Sequence, residues 1–315
     1  MHLPVLLNEA INALAIKEDG VYVDGTFGYG GHSQSILQHL GQRGRLVAFD
    51  KDLSAIDRAQ SINDDRFQAI HSSFAKMQEV LHELRIERVD GILLDLGVSS
   101  LQIDEGARGF SFRSNGPLDM RMNTNIGQTA EQWLQSVTET QLEEVIRNYG
   151  EERHARKIAR AVVMARAKYP ISTTFQLAEI ITEVMRTGGY QHGGKQHPAT
   201  RTFQAIRIHL NQELEELSLV LPQCVELLNP KGRLVVISFH SLEDRIVKRF
   251  MRAKANPEGN LPRKIPLTSK EVQELIHREV LLIGDALKPT SIEIARNPRA
   301  RSAVMRVAEK LKNRR

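Results

Sequence analysis

A single cysteine, Cys224, stands in 315 residues. A disulfide framework needs cysteine pairs and a cysteine-based zinc site needs clusters, so both are excluded and a reducing compartment is expected. No apolar run reaches the roughly 18 residues needed to cross a bilayer. The N-terminal stretch has no basic n-region, and Asn8 and Glu9 interrupt its apolar pattern. It does not read as a signal peptide, so a cytoplasmic location with no membrane partner is expected. His192, His197, His209 and Cys224 have no ligand-like spacing, and no metal is expected. Internal repeats and low-complexity tracts are missing as well.

What remains is the composition of a packed protein, 41% hydrophobic and 26% charged, long enough for one large domain or two smaller ones. The net charge is +5 and it is unevenly spread. Residues 251–315 carry 15 Lys and Arg against 7 Asp and Glu, which suits a polyanionic partner.

The chain is organised around Val21-Tyr22-Val23-Asp24-Gly25-Thr26-Phe27-Gly28-Tyr29-Gly30-Gly31-His32. Two β-branched residues bracket an aromatic, as in a buried strand. Four glycines follow within seven residues, where the bare backbone can turn sharply and approach a ligand. A helix start at 33–40 would then offer free N–H groups. Strand, glycine turn and helix start form a nucleotide-type cofactor site. Residues 45–50 read as a second strand ending in Asp50, an acid placed to accept hydrogen bonds from ribose hydroxyls. A helix at 53–61, a third strand at 67–71 and a fourth at 89–97 follow. The alternation predicts an α/β fold with a mostly parallel sheet covered by helices on both faces.

Two cofactors compete for this site. A dinucleotide calls for Gly-x-Gly-x-x-Gly, but no glycine stands three places after Gly30, and no second mononucleotide-binding half follows. S-adenosylmethionine needs less: backbone contacts for its methionine end, an acid for the ribose and an apolar pocket for adenine. Asp24, the glycines, Asp50 and Phe74 supply such a set.

Residues 105–210 differ in kind. A turn-rich loop at 106–117 precedes helical patterns at 130–136, 139–149, 151–168, 174–186 and 199–221, with a glycine-rich loop at 188–194. This reads as an all-helical insertion between the fourth strand and a fifth at 232–240. The sheet domain would therefore comprise 1–104 and 211–315. Arg153, Arg156, Lys157 and Arg160 fall at i, i+3, i+4 and i+7, one face of a helix that could track a phosphate backbone. The plainer reading is a solvated face paired with Glu151 and Glu152. Trp133, Phe110, Phe112 and Phe203 are candidates to stack on a base, although such residues are more often core. Leu281-Leu282-Ile283 and residues 302–307 read as the last strands.

Eight runs spread in order over nearly the whole chain resemble the bacterial RsmH (MraW) family. They are His2 to Leu7, Asp24 to Ser33, Asp95 to Gln102, Gly109 to Phe112 with Pro117 to Met122, Gly150-Glu151-Glu152, His197 to Ala205, Ile237 to Asp244 and Asn297 to Ala303. The resemblance implies a Rossmann-like class I S-adenosylmethionine-dependent methyltransferase domain interrupted by a helical, RNA-recognising domain. The implied reaction is methylation of N4 of a decoding-centre cytidine of 16S rRNA, with the 30S ribosomal subunit as partner. Whether free rRNA or the subunit is the substrate stays open, as does a homodimer. The family's cofactor contacts fall on Gly30, Gly31 and His32, on Asp50, on Phe74, on Asp95 and on Gln102. Asp50 would hold the ribose, Phe74 would pack on adenine, and Asp95 and Gln102 would flank the sulfonium methyl.

The cytosine amine is conjugated with its ring and weakly nucleophilic, so an acceptor on one N4–H would help it attack. Many amino-group methyltransferases carry Asp/Asn/Ser-Pro-Pro-aromatic after the fourth strand. Here the stretch is Asp95-Leu96-Gly97-Val98-Ser99-Ser100, without the prolines or the aromatic. Asp95 or Ser99 is expected to accept the N4–H, and Phe239 or His240 to help hold the base. Arg153, Arg156, Arg160, Arg201, His240, Arg299 and Arg301 are the candidate RNA contacts, with Arg306 as a further phosphate contact. The alternatives are a non-catalytic binding protein, a methyltransferase of DNA or another RNA, and, more remotely, a dehydrogenase.

Overall fold

The structure, a computed structural model, describes residues 4–187, 197–257 and 278–312. The predicted loop at 188–194 and the first two residues of the first family run lie outside the described residues. The chain divides into two compact units, Met1–Gly97 with Leu214–Arg315 and, between them, Val98–Glu213. Among the described residues no helix is long and apolar enough to cross a membrane.

The first unit holds a seven-stranded sheet of β1 (Val21–Asp24), β2 (Arg45–Asp50), β3 (Phe67–His71), β4 (Val89–Asp95), β5 (Leu228–Ser238), β6 (Val280–Leu282) and β7 (Val304–Lys310), in the order β3-β2-β1-β4-β5-β7-β6. The first five are parallel, while β7 runs antiparallel to both β5 and β6. In chain order the helices before the insertion are α1 (Leu7–Leu14), α2 (Gly31–His39), α3 (Leu53–Ala59) and α4 (Met77–Glu83). The insertion contributes α5 (Ser100–Asp104), α6 (Ala130–Ser136), α7 (Glu139–Gly150), α8 (Ala155–Arg166), α9 (Thr174–Thr187) and α10 (Thr200–Asn211). After it come α11 (Glu213–Leu227), α12 (Ser241–Ala255) and α13 (Ser291–Arg296).

The strands read as near-continuous apolar runs because both faces are covered. Val23, Val47, Ile92, Leu94, Leu234 and Val236 point to one side, against Met77 and Leu81 of α4, Val220 and Cys224 of α11 and Val247 of α12. Their alternates Tyr22, Leu46, Leu93, Val235 and Ile237 point to the other, against Ala10 and Leu14 of α1, Ile36 of α2 and Met305 of β7. This is a doubly wound α/β sheet, and its parallel part ends with the tips of β1, β4 and β5 side by side.

The helical unit has its own core, built from Trp133, Leu142, Ile146, Ile158, Val162, Leu177, Ile181, Phe203 and Ile206. Its bounds are slightly wider than 105–210, because α5 clusters with it and the end of α10 is tied into it. The Asn211 side chain accepts from Met122 N–H at 2.7 Å and donates to the Met120 carbonyl at 2.8 Å.

Two predicted helices differ from those observed, each for a backbone reason. The single helix expected over 199–221 is two helices, because Gln212 takes a left-handed conformation at φ 53° and ends α10. The helix expected to start at Glu151 starts at Ala155. Glu151 sits at φ 48°, and the buried Glu152 carboxylate accepts from His154 N–H in the turn. Arg153 therefore precedes α8 rather than riding on it. Trp133 and Phe203 are core, and Phe110 and Phe112 pack against that core, so the bland reading of these aromatics holds.

Candidate active site

The glycine turn after β1 is built by its neighbours. Gly30 adopts φ +77°, and a side chain there would strike the Phe27 ring at 2.6 Å. A Cβ on Gly31 would meet Cγ of Pro4 at 2.2 Å. The bare backbone expected to make room for a ligand is thus filled on those sides by Phe27 and Pro4. At these two positions the glycines serve close packing of the turn.

Asp24 closes β1 from within, buried to 1% exposure. Its Oδ2 accepts from Ser33 Oγ at 2.7 Å and its Oδ1 from Thr26 N–H at 3.0 Å. Burial pushes its carboxyl up, and the Ser33 and Thr26 hydrogen bonds pull against that rise. Asp24 thus ties the turn to the start of α2.

Asp50 ends β2. Its Oδ2 accepts from Gly28 N–H at 2.8 Å and its Oδ1 from Asp52 N–H at 2.9 Å. Burial raises its carboxyl to about 6 despite both bonds, with further upward pressure from Asp52 and Asp24. A carboxylate oxygen carries more than one lone pair, so both remain able to take a ribose hydroxyl. That contact needs the ionised form. Affinity for S-adenosylmethionine should therefore be level above pH 7 and fall as the pH drops through 6, by up to about tenfold per unit. Calorimetric titration from pH 5 to pH 8 reads this, and Asp50→Asn should flatten the profile. A level wild-type profile would remove Asp50 from the ribose contact.

Phe74 opens a short 3-10 turn after β3, capped by the Ser73 side chain on Ala75 N–H, and lies half-buried against the core beside Met77. Of the cofactor candidates it has the most apolar setting.

At the tip of β4, Asp95 N–H donates to Thr26 Oγ1 at 2.7 Å, which fixes this strand end against the glycine turn. Oδ2 of the carboxyl lies 3.6 Å from His32 Nδ1. Oδ1 is shielded from water and has no hydrogen-bond partner among the described residues. Burial pushes this carboxyl well above the usual range, and the nearby carboxylates of Asp24 and Glu243 push it further. The side chain still keeps 23% exposure, so the site has an open side. A shielded acceptor without a donor is a costly arrangement in a folded chain, and it fits a group that an incoming ligand or substrate completes.

His32, on the first turn of α2, is buried, and its Nε2 lies 3.2 Å from the Val5 carbonyl. Glu243, also buried, sits at the start of α12, where its Oε2 accepts from Phe239 N–H at 2.8 Å. The tips of β1, β4 and β5 thus bring together Asp24, His32, Asp95 and Glu243. Sequence reasoning missed Glu243. The signal was its place three residues after His240, the N3 position of a capping box, just past a strand end.

Other candidates are engaged elsewhere. His240 is the N-cap of α12: its Nδ1 accepts from Glu243 N–H, and its Nε2 lies 3.2 Å from Glu243 Oε1, off the line of a hydrogen bond. Arg306 grips Asp244 through two bonds of 2.6 and 3.0 Å, which takes it out of the phosphate-contact set. In the helical unit Ser99 and Gln102 form a capping box, Ser99 Oγ accepting from Gln102 N–H and Gln102 Oε1 accepting from Ser99 N–H. Arg201 donates to the Glu151 carbonyl and lies 3.9 Å from Glu152, bracing the turn before α8. Arg156, Lys157 and Arg160 are exposed along α8, and none of them is ion-paired among the described residues. The expected pairing with Glu151 and Glu152 does not form. Arg299 and Arg301 lie in a 3-10 turn, Pro298–Ser302, with Arg301 exposed.

The chain is 64% identical over 311 residues to the Ribosomal RNA small subunit methyltransferase H of Nitrosomonas europaea, covering 99% of this chain and 98% of that one. It is 61% identical over 314 residues to the protein of the same name from Nitrosomonas eutropha, covering 100% and 98%. The model of the MraW methylase family matches residues 1–311. The chain therefore belongs to the MraW methylase family, whose methyl donor is S-adenosylmethionine.

Proposed function

We propose that this protein transfers a methyl group to the exocyclic N4 of one cytidine at the decoding centre of 16S rRNA, acting on the small ribosomal subunit in the cytoplasm. The observation that carries the proposal is the Asp95 carboxyl, which presents an oxygen without a partner among the described residues at the end of β4. The names of the relatives, rRNA methyltransferases of the small subunit, support the choice of nucleic acid.

S-adenosylmethionine supplies an electrophilic methyl on a cationic sulfur. The chain's own residues do the rest. Asp50 holds the ribose hydroxyls and Phe74 lies along the adenine. Gly30, Gly31 and His32 shape the turn beside the methionine end, and Gln102 completes the cofactor contacts. Asp95 accepts one hydrogen of the amine. This draws the nitrogen out of conjugation and turns its lone pair toward the methyl. Ser99, whose Oγ already serves its own helix cap, is the weaker acceptor of the two. The target base must leave its stack to reach Asp95 at the end of β4. The helical unit, through Arg153, Arg156 and Arg160, and the basic turn with Arg299 and Arg301 hold the surrounding RNA. Arg201 and His240 act there through the turns that they brace.

The test is methyl transfer from labelled S-adenosylmethionine to small subunits lacking the modification, to free 16S rRNA and to duplex DNA, with nucleoside analysis of the products. N4-methylcytidine in the subunit is the expected result. Label confined to DNA, or to another nucleoside, would overturn the substrate.

A further inference from the structure

β1 stops at Asp24, but its neighbour β4 runs on. The last register pair between them is Asp24 with Leu93, and just past it Gly25 N–H donates to the Leu93 carbonyl at 2.8 Å. On its other side β4 continues to pair with β5: Asp95 stands opposite Ile237, and Leu96 N–H donates to the Ile237 carbonyl at 2.9 Å. Successive N–H groups of a strand point to opposite sides, so Asp95 N–H points to the side that β1 has left. There the Thr26 hydroxyl oxygen accepts it at 2.7 Å. A strand-end N–H without an acceptor would be costly, so this side chain stands in for the missing stretch of β1.

The hydroxyl is itself held. Thr26 N–H donates to Asp24 Oδ1 at 3.0 Å, and the hydroxyl donates to the same oxygen at 3.5 Å. Asp24 in turn accepts from Ser33 Oγ of α2 at 2.7 Å. On the other flank of the turn, Phe27 N–H donates to the Phe49 carbonyl at 2.9 Å and Gly28 N–H to Asp50 Oδ2 at 2.8 Å. The glycine turn is thus stitched to Asp50 through its backbone and to Asp95 through the Thr26 side chain. Threonine is β-branched and stiff at χ1, so its oxygen has little freedom to follow a drifting strand end.

We propose that Thr26 is a positioning residue for methyl transfer: its hydroxyl fixes where the Asp95 carboxyl stands relative to the glycine turn, and so aligns the target amine with the donated methyl. This rests on the reading of Asp95 as the acceptor of that amine. In-line displacement tolerates little error, since a misplacement of about 1 Å can cost on the order of a hundredfold in rate. Cofactor binding asks less of this bond, because the backbone ties of Gly25, Phe27 and Gly28 hold the turn without it.

The experiment breaks the tie and the carboxyl separately and together. Thr26→Val keeps the branched shape and removes the acceptor, Thr26→Ser keeps the acceptor and removes the branch, and Asp95→Asn keeps the tie and removes the carboxyl. These and the Thr26→Val, Asp95→Asn double variant are compared with wild type in single-turnover transfer to subunits lacking the modification, at saturating S-adenosylmethionine. Cofactor affinity is measured by calorimetry on the same preparations. Thr26→Val should transfer about thirtyfold more slowly, with affinity within about threefold of wild type. Thr26→Ser should keep its rate within about threefold. In the Asp95→Asn background, loss of the hydroxyl should cost less than about threefold more, because residues that act as a unit are not additive. Thr26→Ala replaces the valine variant, under the same expectations, should valine not fold. A Thr26→Val rate equal to wild type overturns the proposal, as does a rate loss matched by a loss of affinity, which would make the hydroxyl a prop of the cofactor turn only. The full thirtyfold loss in the double variant overturns it too, since Thr26 would then act by a route other than Asp95. Asp95→Asn at the wild-type rate, or subunits left unlabelled by wild type, would instead overturn the reading of Asp95 and its amine, and this role with it.

Discussion

Asp95→Asn is expected to slow methyl transfer by on the order of a thousandfold while cofactor affinity stays within a few fold. The asparagine keeps the shape of the side chain and an oxygen that can accept, but it cannot take a proton from the amine. The tie of this strand end to the glycine turn runs through the Asp95 backbone N–H to Thr26 and survives the exchange. Burial and two neighbouring carboxylates hold the wild-type carboxyl far above its usual range, so a neutral amide relieves a cost. The variant should melt no lower than wild type. A rate within threefold of wild type would sink the role of Asp95. A lower melting temperature would show that its carboxyl holds the strand ends together.

Reversing Arg156, Lys157 and Arg160 together to glutamate should cut affinity for the rRNA substrate about a hundredfold at low salt and flatten its salt dependence. Each phosphate contact adds about 0.7 to 0.9 to the slope of log affinity against log salt, so three lost contacts should remove about two units. The three side chains stand exposed on one helix and are not spent on ion pairs among the described residues. The buried face of α8, Ile158, Ala159 and Val162, is untouched, so the helical core should stay folded. Exchange of the exposed Arg43, which is paired to Asp19, serves as the control and should leave the slope alone. Equal slopes for the triple variant and wild type would mean that α8 faces water in the complex.

The strands were legible because a parallel sheet buried on both faces leaves near-continuous apolar runs that end in turn residues. Asp24, Asp50 and Asp95 each close such a run, and strand-tip acids mark a ligand edge. Helix periodicity found the elements of the insertion but not their ends. Gln212 and Glu151 adopt left-handed backbones without being glycine, and no local composition announces that. Glu243 and His240 were harder still. Their pairing at a helix start turns residues that look free in the sequence into a closed cap, and only the fold places Glu243 near Asp95. The basic stripe was legible as charge. That Glu152 turns inward and leaves it unpaired was not.

The sheet unit is interrupted and the helical unit is continuous, which bears on how the protein comes into being. β1 to β4 can pair as soon as they are made, and the helical unit closes on contacts within its own stretch of chain. Asp95, however, finds its partner Ile237 about 140 residues later, and β5 is flanked in turn by β7 near residue 304. Such distant pairings are slow. The tips of β4 and β5 can thus pair only after the whole insertion has emerged. Until then the apolar edge of β4 waits without its neighbour, and β7 closes against β5 later still.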